Sequence, residues 1–332
     1  VSTEANIQAV GDRPLTGGRS HRLGDRLNRG ALTALAASVL VILAYFFVRL
    51  YTESHDAFAH FGFFDFVFRN DWDVAGHIFG ALPLVVGTLI TSAIALAIGV
   101  PVAVSAALYL TELCPPRLRT PLTITVELLA AVPSVVYGLW GFFFLVPKLR
   151  PAEQWFSDTF SFLPFVGGHV AGPNYFIAGL ILAIMILPIV SAITREVLAT
   201  VPSEHREAAL ALGATRWEAI RIAVLPYARR GIVGAAMLGL GRALGETIAV
   251  TIVIGNAPTI GHTIFDQGYT LAAVIANEFG EAASDPLHRS ALIAAGLVLF
   301  GLTLVVNGIA RLMVRNAERS RSLPIAETVA RP

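Results

Sequence analysis

Arg242 and Glu246 are the two charges in an otherwise apolar run, 231–256. Read as one helix, the run places Arg242 about 11 residues from its start, ~17 Å deep at ~1.5 Å per residue, near the middle of a ~30 Å hydrocarbon core. A charge at that depth is costly and marks either a pathway or a buried pair. Glu246, four residues on, projects onto the same helix face and within reach. Two chemistries stay open. The pair can neutralise itself and lock helix packing. Alternatively, Arg242 offers a planar, charge-assisted donor array to a tetrahedral oxyanion, while Glu246 orients it and keeps the anion from binding too tightly to leave. Ala235, Gly239, Ala249 and Val253 project onto the same face, with Gly234, Gly241 and Gly245 beside it. Their small size suits close helix packing or leaves room for a solute. Thr247 and Thr251 project to the other side, as packing residues.

Glu127 and Ser134, in the run 121–147, are the next polar candidates, as pathway or structural residues. Pro133 beside them breaks the backbone ladder near mid-membrane, which is tolerable only where the freed groups face protein or water. In the run 82–110, Pro101 predicts a kink, and Thr88, Thr91 and Ser92 are expected to bond back to their own helix. No metal site is expected. Asp65, Asp71 and Asp73 have no ligand spacing, the histidines form no His-Glu-x-x-His pair, and Cys114 is the single cysteine, which excludes an internal disulfide.

The elements that must position these residues are membrane helices. Mean hydropathy is positive and only 14% of residues are charged, which sets the chain apart from ordinary soluble domains. Six apolar spans are predicted, at 31–50, 82–110, 121–147, 174–194, 231–256 and 290–314, giving an all-α polytopic membrane protein. Basic flanks decide the orientation. Segments 1–30, 111–120, 195–230 and 311–332 hold 18 Arg, against five Lys or Arg in the alternate segments, so both termini are predicted to be cytoplasmic. Residues 1–30 read as a basic cytoplasmic tail. The spacing of Arg19, Arg22, Arg26 and Arg29 also fits a surface helix on anionic lipid, and the disordered tail is the preferred reading. No small-residue cleavage site follows the first apolar run, so a cleaved signal peptide is not expected. The outside loop 51–81 is rich in aromatics that suit a membrane boundary or a fold over the outer mouth. Segment 148–173 reads as a short lid or re-entrant piece, and 315–332 as a cytoplasmic tail.

Between the fourth and fifth spans lies a charged island, Ser203 to Pro226. Pro202 and Ser203 signal a helix start, with Glu204 and Glu207 in the first turn where the dipole favours negative charge. Gly213 suits the left-handed residue that ends a helix. Thr215 with Glu218 reads as a capping box for a second helix, and Pro226 is expected to block its simple continuation.

Glu207-Ala208-Ala209, then Gly213, then Ala223-Val224-Leu225-Pro226 resembles the EAA loop of ABC importer membrane subunits, with Ala223 where Ile is usual. Three further stretches resemble PstC-type permeases of phosphate-specific ABC importers over nearly the whole chain. They are Gly-Arg-Ala-Leu-Gly-Glu-Thr-Ile-Ala-Val (241–250), Val-Pro-Ser-Val-Val-Tyr-Gly-Leu-Trp-Gly (132–141) and Pro-Leu-Val-Val-Gly-Thr-Leu (83–89). The resemblance implies a type I ABC importer permease (MetI-like) fold in a bacterial inner membrane. It also implies that Glu207, Ala208, Ala209, Gly213, Leu225 and Pro226 form the coupling loop to an ATPase, and that Arg242 and Glu246 take part in phosphate translocation. The implied partners are a PstA-like permease, a PstB-like ATPase dimer carrying ATP and Mg, and an outside PstS-like phosphate-binding protein.

The residues agree on what is missing. Lys148, the only lysine, lies between Pro147 and Leu149, so no phosphate-binding loop of the Gly-x-x-x-x-Gly-Lys type exists. No catalytic residue, bound cofactor or nucleic-acid partner is expected, and the energy must come from elsewhere. Two other transport readings remain: a permease for sulfate or molybdate, since one Arg cannot separate tetrahedral anions by charge, and an ion-coupled secondary carrier. Against the carrier stands the lack of an internal repeat across the spans. A signalling receptor would need a soluble module that the chain does not show.

Overall fold

The computed structural model describes residues 19–168, 170 and 172–319. The first part of the expected N-terminal tail, 1–18, and most of the expected C-terminal tail, 320–332, lie outside the described residues. The chain divides into two compact units, Val1–Thr52 and Glu53–Pro332.

The first unit is the helix α1 (Arg19–Glu53). From Arg26 to Glu53 it is apolar enough to cross a membrane. A helix apolar on all its faces is suited to a hydrocarbon solvent. The disordered reading of residues 1–30 needs correcting for their latter part: helix begins at Arg19, well before residue 31. No proline intervenes between Pro14 and Pro83, so nothing interrupts the backbone ladder there.

The second unit is built on α4 (Leu82–Leu108) and α8 (Tyr175–Ala199), which run side by side in the same direction. Glycine permits the approach: a Cβ at Gly179 would stand 2.5 Å from the Ile94 side chain. Around this pair lies a core of Tyr175, Ile177, Ile181, Ile186 and Val190, joined by Ala235, Ala249 and Val253. Helix α4 continues through Pro101.

Two expected spans are broken. The third consists of α5 (Pro116–Ala131), then α6 (Ser134–Trp140), a π turn (Gly141–Leu145) and α7 (Val146–Thr159). Its two halves meet at 91°. Val132 is extended (ψ 125), as a residue before proline prefers. The fifth consists of α11 (Leu225–Gly245) and α12 (Ile248–Val253), separated by an extended Glu246 (φ −70, ψ 129). Three π turns, Tyr109–Leu113, Gly141–Leu145 and Ile220–Val224, each end two residues before a proline: Pro115, Pro147 and Pro226. Where the helix continues, at Pro147 and Pro226, the wider turn relieves the clash between the proline ring and the carbonyl four residues back; at Pro115 the helix has already ended. Pro226 thus bars a simple α-helical continuation, and the chain passes it through a π turn. The short α10 (Arg216–Ala219) runs through its π turn directly into α11.

The aromatic segment after α1 is folded. It contains α2 (His55–Phe61), α3 (Phe63–Phe68) and a hairpin of β1 (Trp72–Asp73) with β2 (Ile78–Phe79), paired antiparallel. Phe66, Trp72 and Phe79 pack with Leu84, with α13 (Leu271–Glu278) and with the start of α14 (Pro286–Arg319). Among the described residues, four helices have the length and composition to cross a membrane, or five if the bent pair counts as one span. The α11 segment lies outside that count because it carries Arg229, Arg230 and Arg242 and breaks after Gly245.

Candidate functional site

Arg242 stands in the last turn of α11 and is exposed, while Glu246 is half-buried at the first residue beyond the helix. Sequence projection put both on one helix face. That projection fails because the helix ends at Gly245, and the extended backbone of Glu246 carries its carboxylate off the 3.6-residue repeat. No ion pair joins the two among the described residues. Compensation for the Arg242 charge comes instead from the helix, whose C-terminal carbonyls favour a cation in the last turn. Gly241 and Gly245 flank it, and a Cβ at either would meet nothing within 4 Å. Ala235, Gly239, Ala249 and Val253, by contrast, are buried packing residues. Open space lies on the Gly241–Gly245 side.

The two broken spans meet. Gly138 of α6 packs against α12, where an added Cβ would stand 3.0 Å from Ala249 Cα. The Tyr137 hydroxyl donates to Leu129 O at 2.7 Å, spanning the break at Val132-Pro133 and satisfying a carbonyl freed by it. Arg242 lies within electrostatic range of that hydroxyl. Ser134 opens α6, half-buried. Thr251 Oγ1 donates to Thr247 O at 2.8 Å, and Thr247 Oγ1 to Gly245 O at 3.2 Å, so both hydroxyls bond locally around the second break. Glu127 is drawn elsewhere: its Oε1 accepts from Arg195 Nη2 of α8 at 2.7 Å.

The charged loop forms a second locus. Helix α9 (Ser203–Ala211) is followed by Gly213 at φ +86, the left-handed residue expected there. The predicted capping box is present: Glu218 N donates to Thr215 Oγ1 at 3.3 Å, and Thr215 N to Glu218 Oε2 at 2.8 Å. Bonds from the Thr215 amide and hydroxyl hold the Glu218 carboxyl below the usual glutamate range. Ala209 is buried and Leu225 half-buried, whereas Glu207, Ala208, Gly213 and Pro226 are exposed. Leu212, Trp217 and Ile222 add exposed apolar surface around them.

What ties this loop to the helices was not foreseen. Arg206 Nη2 donates to Glu112 Oε1 at 2.7 Å and to Leu198 O at 3.2 Å, and its Nη1 to Val201 O at 3.2 Å. Beneath it Ala107, Leu108, Leu198, Ile220 and Val224 form a separate apolar cluster. Glu112, just before Pro115 at the end of the second span, was the available signal, but only the fold brings it to Arg206. Tyr137 and Arg195 were missed in the same way. Among the described residues, no group of three or more His, Cys, Asp or Glu could hold a metal ion.

Residues 99–319 match the family described as "Binding-protein-dependent transport system inner membrane component". The chain is 46% identical over 301 residues to the "Phosphate transport system permease protein PstC" of Mesorhizobium japonicum, covering 89% of this chain and 91% of that protein. Its identity to the Pasteurella multocida protein of the same name is 44%, covering 90% and 94%. With "Phosphate transport system permease protein PstC 2" of Mycobacterium tuberculosis it shares 43%, covering 93% and 95%. Among solved structures, a chain of the bacterial alginate ABC transporter in complex with alginate pentasaccharide-bound periplasmic protein superposes with a TM-score of 0.58. That match has 20% identity and covers 89% of this chain and 98% of that one, a likeness of fold.

Proposed function

The chain belongs to the family of binding-protein-dependent transport system inner membrane components, and from that premise we propose that it is the PstC-type permease subunit of an ATP-driven importer of inorganic phosphate. The observation that carries this reading is the pairing of near full-length identity to PstC proteins with an exposed guanidinium at the broken end of a membrane helix. A planar cation with open space beside it matches an oxyanion in transit.

In this reading the chain crosses the inner membrane six times with both termini in the cytoplasm, as the distribution of arginine supports. Phosphate arrives from an outside PstS-like binding protein. A PstA-like permease completes the cavity. A PstB-like ATPase dimer, holding ATP and Mg, grips the loop around Glu207, Ala208 and Ala209 and supplies the work, since this chain carries no phosphate-binding loop of its own. Closure of the ATPases pulls on α9, and the Arg206–Glu112 tie carries the displacement into α4 and α8. Arg242 then offers a contact strong enough to draw phosphate from water yet open enough to release it. Glu246 sits at the break, where a change of backbone conformation swings its carboxylate toward or away from Arg242. Glu127 and Ser134 are proposed as flanking residues of the path, and no cofactor binds this chain.

The test is co-purification of the chain with its partners from membranes, followed by ATPase assays with phosphate and binding protein added. Stimulation by phosphate-loaded binding protein is expected. Stimulation by sulfate in place of phosphate would move the reading to another oxyanion, and ATPase-independent uptake would overturn it.

A further inference from the structure

We propose that Arg195, with Glu127 as its displaceable counter-ion, is a second oxyanion station, between Arg242 and the end of the helices that carries the coupling loop. The proposal rests on the permease reading above and adds a step to it.

Its position comes from helix register. Helices α8 and α11 pack antiparallel: an added Cβ at Gly239 would meet Val190, and one at Gly231 would meet Val197. Arg195 is therefore level with α11 near residue 233. Arg242 lies about nine residues further along, ~13 Å at ~1.5 Å per residue. Arg242 lies within the apolar run 231–256, and Arg195 stands one residue past the expected fourth span in an apolar helix that continues to Ala199; an ionised group beside or within hydrocarbon calls for a function or a partner. The elements between them are joined in part: Glu127 accepts from Arg195, Leu129 O, two residues on along α5, accepts from the Tyr137 hydroxyl, and α6 packs through Gly138 on α12, just beyond the helix that ends after Arg242.

The character of the pair separates a station from a lock. A lock is expected to hold its carboxylate as well as its cation away from water. Here one guanidinium nitrogen, Nη2, meets one carboxylate oxygen at 2.7 Å. The side chain of Arg195 is 18% exposed and that of Glu127 is 53% exposed. Nη1 donates to Thr123 Oγ1 at 3.1 Å, and Nε is buried without a partner. The cation is thus held by two groups of α5 with one donor unpaired, while the carboxylate stands half in the open. An arriving tetrahedral oxyanion offers several acceptor oxygens where Glu127 offers one. It displaces the carboxylate into water with the pair's charge still balanced. Return of Glu127 expels the anion. The Arg206–Glu112 tie is likewise a single Nη2–Oε1 bond with Nε unpartnered, but two backbone carbonyls also hold that cation and its carboxylate is only 12% exposed, where Glu127 stands open to an arriving anion.

The test uses the whole complex in liposomes with binding protein and labelled phosphate. Wild-type uptake comes first, and its absence overturns the permease reading itself. Given wild-type uptake, Arg195→Gln is expected to lower the rate at least ~10-fold, the loss of a charged hydrogen-bond partner, with the yield of assembled complex unchanged. Glu127→Gln keeps the shape and removes the charge; labelled phosphate should then leave the detergent-purified complex several-fold more slowly after rapid dilution. The swap of Arg195→Glu with Glu127→Arg restores an ion pair on exchanged helices and should not restore uptake. Wild-type uptake in the swap, or unchanged phosphate release in Glu127→Gln, would overturn the station and make the pair a lock. If Arg195→Gln fails to assemble, the release measurement on Glu127→Gln still decides.

Discussion

Arg206 and Arg242, on the loop helix and at the end of the span that follows it, are treated in opposite ways by the same fold. Arg206, on the loop helix, is wrapped by a carboxylate and two backbone carbonyls over an apolar cluster. Arg242, at the end of α11, is exposed, flanked by glycines with open space beside them, and unpaired with the glutamate four residues on. The difference teaches a division of labour. A part that transmits displacement has to be stiff, and stiffness comes from satisfied, partly buried polar contacts. A part that hands on an anion has to leave donors free, because a guanidinium already saturated by the protein has nothing to offer.

The largest test of that contrast is Arg242→Gln. If the open arginine serves the anion, phosphate uptake into vesicles should fall by ~10–100-fold, the loss expected of a charged hydrogen-bond partner, while the amount of complex recovered from membranes is unchanged. A parallel loss of complex would break the comparison and make Arg242 a packing residue. Next in size is Glu112→Ala, which strips Arg206 of its carboxylate in a setting where both side chains are largely buried. Removing one partner should cost about 1–3 kcal/mol of local stability. Its signature is uncoupling: ATP hydrolysis by the complex continues, but phosphate moved per ATP falls several-fold. Equal loss of both activities would show that Arg206–Glu112 is a folding contact and not a linkage.

How much of this was legible in the sequence follows from the range of the interactions. The loop was readable almost residue by residue, because Gly213, Thr215 and Glu218 act within one turn of themselves. The break at Pro133 was readable for the same reason. The break after Gly245 was not: Gly-Glu-Thr contains no proline, and nothing local distinguishes it from a helix with one weak residue. Its misreading carried the Arg242–Glu246 pairing with it. The ties Arg206–Glu112 and Arg195–Glu127 join residues 94 and 68 positions apart, and no periodicity reports such pairs. Pro226 was legible as a bar to simple continuation, but the π turn that carries the helix past it, as another does at Pro147, shows only in the fold.

Smaller effects sharpen the stiff half of the comparison. Gly213 holds φ +86 with open space around it, so Gly213→Val is unfavourable through backbone conformation alone, by about 1–2 kcal/mol. The expected result is faster proteolysis between α9 and α10 and a modest fall in phosphate moved per ATP. An unchanged ratio would mean that the turn need not be rigid. Smallest is the cap. Thr215→Ala removes the hydroxyl that accepts from Glu218 N, worth about 1 kcal/mol. The pH dependence of the cap has a definite sign. Because its carboxyl is held below the usual range, Glu218 contributes its full stabilisation above the unfolded value of about 4.3 and loses it as pH falls through the lower folded value. Hydrogen exchange of the α10 amides should therefore reveal no opening attributable to this cap between neutral pH and about pH 5. Opening should appear only under stronger acid, and Thr215→Ala should shift its onset upward. Were the cap to melt near neutrality, the loop would be a pH-responsive joint and not a stiff lever, and the contrast between the two arginines would lose its mechanical half.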